Sequence, residues 1–470
     1  MPARARDAPG TPAAYIAIVA RQTPGGKAET LTVDETSFPN AKSRRALLIA
    51  YKAFADLAGK GSLFVVTIVA ARRLSPASFG VFALGSTLGW IVAVVSDAGI
   101  QLHLARAVAR HPSDALRLLR GWLRIRLWTA AAAVAVVAVA LAAGWGAGSA
   151  IPIAVLAVVY ACSGLIELLH YFYRGLSRSD VESTLTLWQR GGTLVCGLAA
   201  LAWQPDVTVL AIAMLIPVAL TLAASLRISD RLGADTRVRD GDATERTLDP
   251  RRSAGADARV GPSFTVFRRD VWPIGAGIVL SALYFRVDVF LVQRWAGTEA
   301  VAFYNAVFRL VDALRLFPAA VLAVVLPSLV RAGDLRPLAR VALPITGLAS
   351  VASAALWLTA GWLIPAVYGA PYIAAVPAFR VLVLSFPLLS LNFALTHQLV
   401  AWDGQRVYAT LCALALAVNV ALNARLIPLW SIAGAAWATL GTEVVLTAGC
   451  GVALWSVRAP AHAPQLVTEA

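Results

Sequence analysis

The chain is poor in the residues that build metal, redox and nucleophilic sites. Its 470 residues include only four cysteines and five histidines. The cysteines lie in apolar stretches and lack the spacing of metal ligands. The sequence also lacks an HExxH motif, a Walker A run and a nucleophile elbow. We therefore expect no metal, no cofactor and no ATP-driven step within this chain, and we predict that it is not an enzyme.

Charged residues are scarce as well, at 14% of the chain against 59% hydrophobic residues. A soluble domain of this length could not shield so much apolar surface from water, so the composition predicts an integral membrane protein with many spans. The net charge of +15 would suggest a nucleic-acid partner in a soluble protein. In a membrane protein we interpret it as cationic cytoplasmic loops, and we expect no nucleic acid.

Apolar segments of about twenty residues or more, the length that crosses a bilayer as a helix, recur along the whole chain. They predict an all-α polytopic membrane protein with about twelve transmembrane helices. The predicted spans are 46–71, 79–101, 122–145, 150–173, 182–203, 206–226, 270–295, 300–330, 338–367, 372–400, 406–427 and 430–456.

The distribution of Lys and Arg predicts the orientation of these helices. With both termini placed in the cytoplasm, most of the 41 Lys and Arg residues fall on the cytoplasmic side. Because cytoplasmic loops are enriched in these residues, we predict an N-in/C-in topology. The loops on the other side are only a few residues long, such as 146–150 and 204–206, and they leave no room for an external catalytic domain.

The longest polar interruption divides the predicted helices into two groups of six. We predict two lobes joined by a flexible cytoplasmic linker. The predicted parts are a disordered cytoplasmic extension, an N-lobe, the linker, a C-lobe and a cytoplasmic tail, at 1–45, 46–226, 227–268, 269–457 and 458–470. A weak internal repeat supports the division, because Arg72 aligns with Arg294 and Phe82 with Tyr304 at one common offset.

Residues 59–110 carry a recognisable series of short elements. These are Ala71-Arg72-Arg73-Leu74, Phe79-Gly80, Asp97-Ala98-Gly99 and the basic stretch Arg106–Arg110. Together with residues 286–318, they resemble the Wzx-type polysaccharide flippases of the multidrug/oligosaccharidyl-lipid/polysaccharide exporter superfamily. The sequence departs from that pattern in carrying two arginines, Arg72 and Arg73, where the family has one.

The resemblance implies two six-helix lobes around a central cavity, working by alternating access in a bacterial inner membrane. The implied substrate is a polyprenyl diphosphate that carries a short glycan. Glycosyltransferases and a glycan polymerase are the implied partners, and the surface polymer could be O-antigen, lipopolysaccharide, capsule or exopolysaccharide. A multidrug or cation exporter of the same superfamily, and a membrane glycan polymerase or ligase, are the alternative functions.

Basic residues lie inside several predicted spans, where a charge that faced lipid would cost about 3 kcal/mol or more. They must therefore face protein or a water-filled cavity. An Arg- and Lys-lined cavity would attract a diphosphate, and arginine can bind phosphate oxygens in pairs. The predicted diphosphate-binding residues are Lys52, Lys60, Arg190, Arg286, Arg309 and Arg315.

Acidic residues in the same spans are candidates for ion coupling or for a counter-ion role. They are Asp56, Asp288, Asp312 and Glu443. Asp56 lies four residues from Lys52, so the two can also form a purely structural pair on one helix face. The same alternative applies to Arg309 with Asp312, and Asp288 can pair with an arginine of the following helix.

Arginines occur at both predicted membrane surfaces. Arg72, Arg73 and Arg294 lie at the outer surface, where they are candidates for an outer gate or are simply snorkelling. Between residues 102 and 121, further arginines recur on an amphipathic stretch. We expect that stretch to lie along the inner leaflet near anionic lipid headgroups.

Overall fold

The computed structural model describes residues 40–144, 146, 148–244, 264–330, 334–402 and 404–456. Most of the predicted extension, the later part of the predicted linker and the predicted tail at 458–470 lie outside these residues. All regular structure in the described ranges is helical. The long helices are α1 (Asn40–Arg73), α2 (Pro76–Asp97), α3 (Ile100–Arg110), α4 (Ala115–Ala142), α5 (Ala150–Gly175), α6 (Ser179–Trp203), α7 (Val207–Thr244), α8 (Trp272–Ala296), α9 (Thr298–Leu314), α10 (Leu316–Val330), α11 (Arg336–Tyr368), α12 (Val376–Leu384), α13 (Phe386–Ala401) and α14 (Gln405–Ser456).

The predicted all-α membrane fold is confirmed. Within the described ranges, nine helices are long and apolar enough to cross a membrane. Three features separate this number from the predicted twelve. The predicted span 182–203 matches α6, which carries several charges. The predicted span 300–330 is divided between α9 and α10. The last two predicted spans lie in the single element α14. The exact number of crossings and the orientation stay predictions.

The element α14 consists of two helices that pack against each other. Its chain reverses at Ser431, whose φ of 50° and ψ of −132° are not helical. Gly434 lies so close to Leu426 that a Cβ there would be 2.1 Å from the Leu426 carbonyl oxygen. The Asn419 side chain donates a hydrogen bond to Thr442 at 3.4 Å. These contacts show that the two helices of α14 run antiparallel. Two consecutive membrane spans, predicted at 406–427 and 430–456, would run in this way.

Some helix ends differ from the predicted boundaries. α1 begins at Asn40, before the predicted start at residue 46, and α7 continues to Thr244, well into the predicted linker 227–268. No proline occurs between Pro217 and Pro250, so the chain past residue 226 keeps its helical backbone after it loses its apolar character. Hydropathy marks where a helix leaves the bilayer, but it does not mark where the helix ends.

The described residues divide into two compact units, one lying within 35–305 and one within 306–470. In the first, a buried apolar core joins α3, α4 and α5 through residues such as Leu104, Trp122 and Phe172. In the second, residues such as Leu399 and Leu454 form the core that joins α13 to α14. The predicted lobe boundaries stay a prediction.

Within the unit 35–305, α2 and α8 pack antiparallel along their length. At one end, a Cβ on Gly80 would lie 2.0 Å from the Thr298 carbonyl oxygen. At the other, a Cβ on Gly275 would lie 1.8 Å from the carbonyl oxygen of Ala98. Only glycine permits so close an approach of two backbones. This α2–α8 seam fixes the position of the charged residues in the middle of α8.

Candidate functional site

A cluster of ion pairs joins α1, α5 and α6 in the unit 35–305. Glu182 is its centre: one carboxylate oxygen accepts hydrogen bonds from Lys52 Nζ at 2.6 Å and from Arg174 Nε at 2.9 Å. Arg174 also lies 3.7 Å from Glu167, and His170 lies at the same distance from the other oxygen of Glu167. The cluster therefore links three helices by alternating charges.

Burial makes the Glu182 pairs stronger than surface ion pairs. The Glu182 side chain is 2% exposed, whereas Lys52 is 19% and Arg174 27% exposed. Charges this deep interact in a low effective dielectric, and removing one partner leaves an uncompensated buried charge. Arg174 also stacks over the Tyr171 ring at 4.3 Å. The two cations are thus held in place while part of each remains accessible.

The predicted α1 residues Lys52, Asp56 and Lys60 differ in their surroundings in the structure. Lys52 turns to Glu182, and its distance to Asp56 is 3.9 Å. Asp56 is half-exposed and Lys60 is exposed. Arg190 packs beside Gly59 and lies within electrostatic reach of Glu167. The structure therefore brings Lys52 and Arg190 to one cluster and leaves Lys60 exposed on α1.

Arg286 and Asp288 lie near the middle of α8 and are both buried. The Arg286 guanidinium is 5.1 Å from the Phe285 ring and 5.9 Å from the Trp90 ring of α2, distances at which cation–π attraction operates. Asp288 accepts hydrogen bonds from the Tyr304 hydroxyl and from the Val289 amide. The α2–α8 seam therefore holds a cation between aromatic rings, with a bonded carboxylate close by.

The remaining predicted α9 residues lie in the unit that contains 306–470. Arg315 is 3.6 Å from Asp312, and both side chains are about one-third exposed. Arg309 is partly buried and lies within electrostatic reach of the Tyr368 hydroxyl. The break between α9 and α10 falls at Arg315 itself, so this arginine sits at a helix junction instead of within a continuous span.

Glu443 is a buried carboxylate in the second half of α14. The Asn392 side chain of α13 donates to Glu443 Oε2 at 2.7 Å and to its backbone oxygen at 3.1 Å. Thr447 donates to Asn392 Oδ1 at 2.8 Å. Asn392 is thus oriented by Thr447 and ties α13 to α14 through Glu443.

The predicted outer-gate arginines Arg72, Arg73 and Arg294 are all exposed and lie near the C-terminal ends of α1 and α8. Their equivalent places on two helices agree with the alignment of Arg72 with Arg294. Whether they form a gate stays a prediction.

Two buried charged pairs were missed by sequence reasoning. Glu182 is the first residue of the predicted span 182–203, and Arg126 lies near the start of the predicted span 122–145. Arg126 is in fact 1% exposed; it lies 3.7 Å from Asp97 and donates to the Ala93 carbonyl at 2.8 Å. The apolar neighbours of Arg126 in the run LRIRLW were the available signal for burial. In the described part of the chain, no group of three or more His, Cys, Asp and Glu residues could hold a metal ion.

The model of the family described as "Polysaccharide biosynthesis protein" matches residues 49–332. No curated protein matches the chain significantly. Among solved structures, an inward-closed lipid II flippase MurJ superposes with a TM-score of 0.62 at 11% identity, covering 87% of this chain and 88% of that one.

Multidrug transporters of the MATE family are similar in fold as well. An inward-facing structure from the MOP superfamily superposes with a TM-score of 0.64 at 12% identity, covering 85% of this chain and 96% of that one. An outward-facing one gives a TM-score of 0.56 at 15% identity, covering 87% and 95%. At these identities the structures show a shared two-lobed fold. The family match spans more than half of the chain, which is therefore a multi-pass membrane protein that belongs to the polysaccharide biosynthesis protein family.

Proposed function

We propose that the chain is a secondary-transport flippase that moves a polyprenyl-diphosphate-linked oligosaccharide across a bacterial inner membrane for surface polysaccharide synthesis. The family match and the fold shared with a lipid II flippase support this proposal. The observation that carries it is the group of cationic side chains on membrane helices of the unit 35–305. They are Lys52, Lys60, Arg174, Arg190 and Arg286.

Such a group has a clear physical use. A diphosphate head group cannot cross hydrocarbon without a large desolvation cost. Arginine and lysine replace part of its hydration with charge-assisted hydrogen bonds, while the prenyl tail stays in lipid. A cationic path across the membrane is therefore the central requirement of this transport.

The cluster around Glu182 has donors to spare for phosphate. A lysine has three N–H donors and an arginine five. Lys52 uses one of them on Glu182 and Arg174 uses two. In our proposal Glu182 neutralises the pair when no substrate is present, and the diphosphate binds to the donors that remain. Arg190 and the exposed Lys60 extend the same surface.

A glycan also needs hydrogen-bond acceptors for its hydroxyl groups. Asp56 and Glu167 supply them, since their side chains are 52% and 46% exposed on the helices that carry the cations. We assign the head group to the cations and the sugars to these carboxylates. Arg309 and Arg315 contribute to diphosphate binding in the same proposal.

The coupling and gating assignments belong to the proposal as well. Asp288 and Glu443 are the buried carboxylates suited to ion coupling, with Asp312 as a more exposed candidate. Arg72, Arg73 and Arg294 are the proposed outer gate. Glycosyltransferases and a glycan polymerase are the proposed partners, because they would supply and consume the lipid-linked glycan.

Reconstitution of the full chain in proteoliposomes tests the function. A polyprenyl diphosphate bearing a fluorescent disaccharide is placed in both leaflets, and a membrane-impermeant quencher reports the outer pool. The wild-type chain should move the inner pool outward. Lys60→Gln and Arg190→Gln should slow this movement severalfold, whereas Arg425→Gln, on an exposed residue of α14, should not. Failure of the wild-type chain to move the lipid in the presence of ion gradients contradicts the proposal.

A cation exporter is the second candidate. The half-exposed carboxylates of Asp56 and Glu167 and the similarity to MATE transporters favour it. Extrusion of a cationic dye by the same proteoliposomes, lost in Asp56→Asn and retained in Arg190→Gln, would establish this candidate. The third candidate, a glycan polymerase or ligase, is set aside, because the family and the shared fold agree with the prediction that the chain is not an enzyme.

A further inference from the structure

The amphipathic helix α3 is firmly held at one end of the unit 35–305. Its apolar side chains Ile100, Leu104 and Val108 are buried in a core that also contains Trp122 of α4 and Val271. Since this face cannot leave the core without exposing apolar surface, the helix cannot rotate about its axis. Its arginines are therefore presented in a fixed direction.

Two of those arginines repel each other. Arg106 and Arg110 are four residues apart, so they lie on the same face of α3. Burial and the neighbouring Arg110 lower the pKa of Arg106. Arg106 Nε is buried and has no hydrogen-bond partner within the described residues. An anion placed beside this pair would relieve the repulsion.

More arginines surround α3. Arg117 of α4 forms an ion pair with Asp114 at 3.2 Å, and Arg120 of α4 forms one with Asp230 of α7 at 3.3 Å. The others are exposed and form no ion pair within the described ranges of the chain. They are Arg110, Arg124, Arg227, Arg231 and Arg268. We call these five residues and Arg106 the α3 basic surface.

Several contacts bring the α3 basic surface together. The Arg120–Asp230 pair joins the start of α4 to α7, where Arg227 and Arg231 flank Asp230. The turn Phe267–Val271, which carries Arg268, packs on α3. The surface thus combines cations from four elements in one region.

Exposed indole rings indicate the depth of this region in the membrane. Trp128 is 73% exposed and lies one helical turn beyond Arg124, and Trp272 is 51% exposed next to the turn that carries Arg268. Tryptophan collects at the level of lipid headgroups. The arginines just beyond these rings therefore lie where lipid phosphates lie.

We propose that the α3 basic surface binds the headgroups of anionic phospholipids of the surrounding bilayer. Six arginines, five of them exposed, exceed what one diphosphate requires, and the neighbouring indoles place them at the lipid interface. The site uses none of the residues of the ion-pair cluster around Glu182, and the inference does not depend on the proposed transport function. Each arginine near an anionic membrane surface should strengthen the association by about fivefold.

Thermal unfolding of the full chain in neutral detergent, titrated with phosphatidylglycerol or with phosphatidylcholine of equal acyl chains, tests the proposal. Phosphatidylglycerol should raise the Tm of the wild-type chain, and phosphatidylcholine or inorganic phosphate should not. In Arg106→Gln/Arg110→Gln, the phosphatidylglycerol concentration for half of the shift should rise by about thirtyfold. Arg106→Lys/Arg110→Lys and the control Arg73→Gln, whose residue lies at the opposite end of α2 from α3, should titrate near the wild type.

Other outcomes overturn the proposal. Equal shifts with the two lipids, an equal shift with inorganic phosphate, or unchanged titration of the double Gln variant would each exclude a headgroup site here. If that variant does not fold, Arg124→Gln/Arg231→Gln, which changes exposed residues only, must show the weakened titration instead. A polyprenyl diphosphate titrated in parallel should be unaffected by Arg106→Gln/Arg110→Gln. If only its shift is lost, the surface serves the substrate and not the bilayer.

Discussion

Lys52 Nζ lies 2.6 Å from Glu182 Oε1, although the two residues are 130 positions apart in the sequence. The pair joins α1 to α6, and Arg174 adds α5 through the same oxygen. Lys52, which the sequence predicts to bind the diphosphate, therefore has a structural partner as well. Its two roles can be separated by experiment.

Loss of the Glu182 charge should destabilise the fold. Glu182→Gln leaves Lys52 and Arg174 without their buried counter-ion, and breaking a buried ion pair in this way costs about 3–5 kcal/mol. Thermal or denaturant unfolding in detergent measures the effect. The matched control is Asp180→Asn on the same helix, whose ion pair with Arg178 is nearly half exposed and should contribute about 1 kcal/mol or less. Equal losses in the two variants would contradict the prediction.

Substitutions of Lys52 and Lys60 should distinguish an effect on stability from an effect on transport. Lys52→Ala removes one partner of Glu182 and should lower the free energy of unfolding by about 1–3 kcal/mol, less than Glu182→Gln, because Arg174 still bonds to Glu182. Lys60 is exposed, so Lys60→Ala should leave stability within about 0.5 kcal/mol while it slows flipping in proteoliposomes. A stable, fully active Lys60→Ala variant would remove Lys60 from the proposed path.

The sequence was enough to predict the helical membrane fold, because apolar length and proline positions are local properties. It also identified Lys52, Arg286 and Asp288 as buried-helix charges that need an explanation. It could not identify their partners. Glu182 meets Lys52 only because α1 packs on α6, and Trp90 meets Arg286 only because α2 packs on α8. Such contacts depend on tertiary packing, which hydropathy and helical period do not encode.

The α2–α8 seam should tolerate no side chain at Gly275. A Cβ there would lie 1.8 Å from the Ala98 carbonyl oxygen, which belongs to the backbone and cannot turn aside. We expect Gly275→Ala to destabilise the protein by about 1–3 kcal/mol or more. Gly277, two residues along the same helix, has nothing within 4 Å of such a Cβ. Gly277→Ala should be neutral or stabilising by up to about 1 kcal/mol.

Unfolding transitions of the two alanine variants, recorded side by side, check this prediction. Equal unfolding transitions of Gly275→Ala and Gly277→Ala would show that the close α2–α8 contact does not contribute to stability. Transport should decrease together with stability in Gly275→Ala, since a shift of α8 should also move Arg286 away from the Trp90 ring.

The Tyr304 hydroxyl should contribute to stability through its hydrogen bond to Asp288. Tyr304→Phe removes the donor to a buried carboxylate, and leaving such a group without its bond costs about 1–3 kcal/mol. If Asp288 takes part in ion coupling, the variant should also change the dependence of flipping on the pH or sodium gradient. Tyr160→Phe is the control, because the Tyr160 hydroxyl forms no side-chain hydrogen bond within the described structure. If Tyr304→Phe lowers stability but leaves the ion dependence of flipping unchanged, Asp288 has a structural role only. Glu443 would then be the buried carboxylate to test for ion coupling.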